Sequence, residues 1–129
     1  MIQGCGSNVG KSLLVAGLIR AAKKRGLRVA PFKPQNMSNN AAITVDGGEA
    51  GRAQSFQAYA AGIEFHSDMN PVLLKPESMI GSQVILNGKK YKSLKAREYY
   101  SHKDKFIGIA INSFTNMVND YDMFIAEGA

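Results

Sequence analysis

The sequence predicts an α/β domain of the P-loop kind, with a mainly parallel sheet flanked by helices and incomplete at its C-terminal side. Three observations carry that expectation. Short apolar runs alternate with helical patterns, a glycine-rich loop opens directly onto an amphipathic helix, and no internal repeat or low-complexity segment intervenes. The 129 residues are 45% hydrophobic and 20% charged, in the range of one globular domain rather than a disordered or fibrous chain. A single cysteine, Cys5, excludes an intramolecular disulfide. No run approaches the roughly 18 apolar residues of a membrane span, and the first residues show neither a charged n-region nor an apolar h-region. A reducing, cytoplasmic setting is expected.

Met1 and Ile2 read as the stub of a first strand. Leu14, Leu18, Ile19 and Ala22 recur at helical spacing, Lys23, Lys24 and Arg25 fill the last turn, and Gly26 follows, so a helix is expected from about Gly10 to Arg25. Leu27 to Lys33 reads as a second strand that stops at Pro34, adjacent to the first and joined to it by a right-handed crossover. Gln35 to Asn40 reads as a polar loop, and Glu49 to Ala61 as a helix closed by Gly62. Val72–Leu74 and Val84–Leu86 are strand candidates, and Asn87-Gly88 signals a type I′ hairpin into Lys89–Lys92. This middle section reads as an insertion. Ile107, Ile111, Phe114, Val118 and Tyr121 form an apolar stripe on a helix of about four turns, and Met123 to Ala126 returns as a buried strand ending on Glu127. Met1–Gln3 is short for a buried strand and Glu127–Ala129 follow at once on an apolar run, so a fragment is expected.

Gly4-Cys5-Gly6-Ser7-Asn8-Val9-Gly10-Lys11-Ser12 lies between strand stub and helix, where backbone N–H groups and a helix N-terminus cradle phosphates. The strict pattern asks for glycine at position 5 and meets Cys5, but Gly10-Lys11-Ser12 keeps the parts that carry chemistry. Gly6 to Ser12 are the expected nucleotide contacts. Lys11 would neutralise the β and γ phosphates, and the Ser12 hydroxyl would ligate Mg²⁺.

Glu127 closes the last predicted strand, where doubly wound sheets hold ligands, and a buried charge there needs a partner such as Mg²⁺. Asp46 or Glu49, flanking Gly47-Gly48, could complete an oxygen-rich metal shell with Ser12 and Glu127; Glu49 could equally favour a helix N-terminus. Lys33 is expected to point into the same crevice as Lys11 and to suit a transferring phosphoryl group. Gln35, Asn36, Ser38, Asn39 and Asn40 offer neutral donors that fit carboxylate and amide recognition, and that also crowd ordinary turns. Lys75 reads as a substrate contact or a surface lysine. His66 and His102 have no partners at zinc spacing.

Sixteen Lys and Arg against ten Asp and Glu give a net charge of +6, which suits an anionic partner: nucleotide, polycarboxylate, nucleic acid or membrane surface. Lys89, Lys90, Lys92, Lys95 and Arg97 interleave with Tyr91, Tyr99 and Tyr100, as in single-strand binders, but such a run is ordinarily a solvated face. Neither nucleic acid nor membrane is the expected partner.

Gly4 to Ser12, Arg28-Val-Ala-Pro-Phe-Lys-Pro-Gln-Asn-Met-Ser-Asn-Asn40, Asp46-Gly-Gly-Glu49, Gly51-Arg-Ala-Gln54, Asn70-Pro-Val-Leu-Leu-Lys-Pro76 and Glu127-Gly-Ala129 together resemble cobyric acid synthase. The resemblance spans nearly the whole chain, and Lys33 to Asn40 is its most specific part. The phosphate loop is shared with dethiobiotin synthetase and with the cell-division and partition ATPases; the latter carry a lysine where this chain has Gly6. The family's loop usually has threonine at the position of Cys5. The resemblance implies an ATP-binding synthetase domain over residues 1–129 that amidates peripheral carboxylates of adenosylcobyrinic acid a,c-diamide in cobalamin biosynthesis. It implies Lys11 and Lys33 as catalytic lysines, Glu127 as a metal ligand, and Asn36, Ser38, Asn39, Asn40 and Lys75 at the substrate. Ammonia would come from a glutaminase domain with its own cysteine, a role that Cys5 inside the phosphate loop cannot fill. A homodimer is compatible with this reading. A partition-type assembly ATPase and dethiobiotin synthetase are the rival readings.

Overall fold

A computed structural model describes residues 1–78 and 81–128. Helix α1 spans Lys11–Lys24, followed by the strands β1 (Val29–Phe32), β2 (Gln35–Met37), β3 (Ala41–Ile43) and β4 (Glu49–Gly51). Helix α2 (Arg52–Ala61) and a 3-10 turn at Ser67–Met69 lead to β5 (Val72–Ser78), β6 (Gly81–Leu86) and β7 (Lys89–Lys95). Helices α3 (Ala96–Ser101) and α4 (Lys103–Met117) precede the last strand, β8 (Met123–Ala126).

The parallel part of the fold is small. β1 pairs with β8 from Val29↔Met123 to Phe32↔Ala126, and Ile2 bridges to Glu127 on the other side of β8. The expected adjacency of the first and second strands is therefore corrected: β8 inserts between them. Ile2 N–H donates to Ala126 O at 2.7 Å, and Glu127 N–H to Phe32 O at 2.9 Å. That order aims Lys33, Glu127 and the loop after Ile2 at one edge.

The segment Gln35–Met37, expected as loop, is a strand because it pairs in parallel with Val72–Leu74. With β6 and β7 it makes a four-stranded sheet in the order β2-β5-β6-β7, otherwise antiparallel. The hairpin between β6 and β7 turns on Asn87 (φ 44°) and Gly88 (φ 77°), the positive-φ pair a type I′ turn requires. β4 pairs with β3, so the second helix starts at Arg52 rather than Glu49. It ends at Gly62 (φ 67°), and α1 is followed by Gly26 (φ 85°).

Val15, Ile19, Ala22, Val29 and Ala61 form the core between α1, α2 and β1, while Leu14 and Leu18 of the expected stripe lie open to solvent. In α4 the buried positions are Phe106, Ser113 and Met117. Ile107, Ile111, Phe114 and Val118 are exposed, which corrects the face read from periodicity. Ser113 fits the inward face because its hydroxyl meets Asn87 Nδ2 at 2.7 Å. No helix among the described residues is long and apolar enough to cross a membrane.

Candidate functional site

The loop from Gly4 to Gly10 wraps the N-terminal end of α1. Gly10 has φ 91°, a left-handed conformation that disfavours any side chain, and its carbonyl accepts the first helical bond from Leu14 N–H at 3.0 Å. Lys11 Nζ donates to Gly6 O at 2.8 Å across the loop. The first-turn N–H groups of the helix face outward beside it, the arrangement that binds anions.

Beneath the loop lies a buried polar cluster drawn from four elements. Glu127, at the end of β8, is 2% exposed and Lys33, at the end of β1, is 7% exposed. Glu127 Oε1 accepts from Lys33 Nζ at 2.9 Å and from Ser12 Oγ at 2.9 Å. Its Oε2 accepts from Gln57 Nε2 at 2.8 Å, and the same nitrogen reaches Ser12 O at 3.3 Å. Burial opposes ionisation of Glu127 and is the largest single influence. The hydrogen bonds from Lys33, Gln57 and Ser12, with the Lys33 charge, together outweigh it and hold the carboxyl below its ordinary value.

A cleft of about 860 Å³ opens above the cluster. The loop contributes Ser7, Asn8, Val9, Gly10, Lys11 and Ser12 to it. The opposite wall comes from Asn36, Ser38 and Asn40, with Lys33 and Glu127 at the floor. Most of the residues singled out in sequence thus meet in one place.

Five do not line the cleft. Gly6 lies outside it, its carbonyl accepting from Lys11 Nζ. Asp46 accepts from Ser67 Oγ at 2.5 Å and Ser67 N–H at 3.3 Å. Burial opposes its ionisation most strongly, yet hydrogen bonds led by Ser67 and then Thr44 lower its pKa overall. Glu49 is engaged by Lys75, Nζ to Oε2 2.9 Å, and neither reaches the cleft. Asn39 is exposed outside it. The expected oxygen shell is thus reduced to Ser12 and Glu127, and among the described residues no group of three or more His, Cys, Asp or Glu could hold a metal.

Sequence reasoning missed Gln57 and Arg52. Gln57 is fully buried on α2 beside Gln54, three residues apart on one helix face, and that spacing of two glutamines inside an alanine-rich helix was the available signal. Arg52 lines the cleft and adds a third cation to Lys11 and Lys33. Behind it, Gly51 N–H donates to Asn70 Oδ1 at 2.9 Å, and Asn70 Nδ2 donates to Lys33 O at 2.9 Å. This network fixes the backbone from which Lys33 projects.

A parallel bridge at Ile2, a glycine loop, a helix beginning Lys11-Ser12 and a carboxylate at the end of β8 define a nucleotide-binding P-loop domain. The CbiA family model, described as CobQ/CobB/MinD/ParA nucleotide binding domain, matches residues 1–127, and the chain belongs to that family. Over all 129 residues it is 60% identical to the cobyric acid synthases of Bradyrhizobium diazoefficiens and Rhodobacter capsulatus. Identity to the cobyric acid synthase of Cereibacter sphaeroides is 61% over the same length. The chain spans about a quarter of these relatives, 27% in each case. No solved structure matches it.

Proposed function

We propose that the chain is the ATP-binding synthetase domain, over residues 1–129, of a glutamine-dependent cobyric acid synthase acting in the cytoplasm. The observation that carries the reading is the buried Lys33–Glu127–Ser12 cluster, which forms the floor of a cleft walled by the phosphate loop on one side and the amide-rich Asn36–Asn40 segment on the other. Phosphoryl donor and acceptor carboxylate thereby share one cavity.

The reaction is phosphoryl transfer from ATP to a peripheral carboxylate of adenosylcobyrinic acid a,c-diamide. A carboxylate oxygen bonds to the γ phosphorus as the bond to ADP breaks, giving an acyl phosphate; ammonia then bonds to the acyl carbon and phosphate leaves. Ammonia is supplied by glutamine hydrolysis in a glutaminase domain of the complete enzyme. The loop N–H groups and Lys11 orient the nucleotide phosphates, and the Lys33 ammonium, held by Glu127, faces the charge that develops between donor and acceptor. Asn36, Ser38 and Asn40 line the cleft and offer N–H and O–H donors to the carboxylate. Ser12 and Glu127 are hard oxygen donors suited to Mg²⁺. The ion, when bound, supplies further neutralisation of the phosphates.

Replacing Lys33 by Ala in the complete enzyme tests this. Acyl phosphate formation and amidation are expected to fall together while glutamine hydrolysis continues. Normal amidation by Lys33→Ala, or equally good turnover of diaminopelargonate, would sink the assignment.

A further inference from the structure

The basic, tyrosine-bearing stretch 89–105 has no part in the chemistry described so far. It holds seven Lys and Arg against two Asp and Glu, so it accounts for most of the net charge of +6. In the fold it forms β7, α3 and the start of α4. Every β7 residue except Leu94 is exposed, and α3 buries none of its residues. Such a surface gives the fold little in return for its charge repulsion.

Beside it lies an apolar hollow of about 360 Å³ with Leu74, Leu94 and Tyr99 among its walls. Tyr100, 73% exposed, and Met37, 63% exposed, stand at its border. Gln35 and Met37 lie two apart on β2, hence on one strand face, and both line this hollow and the phosphate cleft. The Tyr99 hydroxyl donates to Gln35 Oε1, which ties α3 to β2 at that shared border. Lys103 and Tyr100 bound a second small hollow that again includes Gln35. The apolar floor therefore shares Gln35 and Met37 with the reaction cleft and is flanked by Lys103.

We propose that Met37, Tyr99 and Tyr100, with Lys103 beside them, form a platform for the body of the substrate: a broad, flat ring with apolar surface and peripheral carboxylates. The inference rests on the corrinoid reading above. When one carboxylate enters the cleft, the rest of a wide ring must leave it past Gln35 and Met37. Tyr100 and Met37 cover the apolar ring surface, and Lys103 meets carboxylates that are not reacting. Single-stranded nucleic acid would use similar tyrosines and lysines, but would gain nothing from a wall shared with a phosphoryl-transfer cleft.

The test titrates the full chain with cobyrinic acid a,c-diamide, followed by its visible absorbance, and separately with Mg-ATP and an oligothymidylate. Tyr100→Ala should weaken corrinoid binding by about fivefold, Tyr100→Phe should retain it, and adding Lys103→Glu to Tyr100→Ala should weaken it further. Affinity for Mg-ATP should stay unchanged in all three. Because Tyr100 and Lys103 are on the surface, folding is preserved, and a normal thermal melt checks it. Unaltered corrinoid affinity in Tyr100→Ala overturns the platform. So does a loss confined to the oligonucleotide, which would assign the surface to nucleic acid. A wild-type chain that binds Mg-ATP but no corrinoid overturns the functional reading itself, and the platform with it.

Discussion

Replacing Lys33 by Met removes the only cation among the described residues in direct contact with Glu127, while keeping the apolar stem. The carboxylate stays buried and retains two donors, Gln57 Nε2 at 2.8 Å and Ser12 Oγ at 2.9 Å. Breaking a buried ion pair from one side costs about 3 to 5 kcal/mol, and the two surviving donors set the expectation at the lower end, about 3 kcal/mol at neutral pH. At roughly 4 °C per kcal/mol for a domain of this size, the melting temperature should drop by about 12 °C. The loss should also depend on pH. Glu127 is held below its ordinary value, so its stabilising contribution is present above the unfolded pKa of about 4.3 and is lost as pH falls through the folded value. In Lys33→Met that contribution is already gone, so wild type and variant should converge on acidification. Urea denaturation at neutral pH and near pH 3.5 measures both effects. A stability gap under about 0.5 kcal/mol at neutral pH, or an equal gap at both pH values, would refute the claim that the pair is a buried, mutually compensated one.

Glu127→Gln should weaken Mg-dependent nucleotide binding by about tenfold or more while barely changing binding of metal-free nucleotide; Asp46→Asn and Glu49→Gln should behave like wild type in the same calorimetric comparison, and a selective metal defect in either would restore it as a ligand. Gly51→Ala should destabilise the chain by about 1 to 3 kcal/mol, because its Cβ would meet Asn36 Nδ2 at 2.3 Å, Gln54 Oε1 at 2.5 Å and Asn70 Oδ1 at 3.0 Å. A thermal melt unchanged from wild type would show that this polar network gives way freely.

The phosphate loop was legible because its chemistry is local: Gly10 needs a positive φ, and Lys11 and Ser12 follow it at the helix start. The Asn87-Gly88 hairpin was legible for the same reason. Helix α4 was legible as a helix but not as to its buried face. Phe106 packs with Val72, Val84 and Leu94 of the four-stranded sheet, Ser113 bonds to Asn87, and Met117 clusters with Met69 of the 3-10 turn, so these positions are buried in place of Ile107 and Ile111. Periodicity reports that a face is apolar, not which neighbour it meets. The expected metal shell likewise does not come together at Asp46 and Glu49, which bond to Ser67 and Lys75, more than twenty residues away in sequence.

By itself, the sequence determined the glycine loop, the helix that follows it, and the positions of its caps and turns, because each depends on backbone preferences within a few residues. Only the tertiary structure decided that β8 enters between Ile2 and β1, bringing Glu127 to Lys33, 94 residues apart, and to Ser12, 115 residues apart. β8, expected as a buried strand, is only half-buried, with Met123 exposed, while its partner β1 is fully buried; pairing at that range is selected by the packing of the whole chain, which no local window of residues contains.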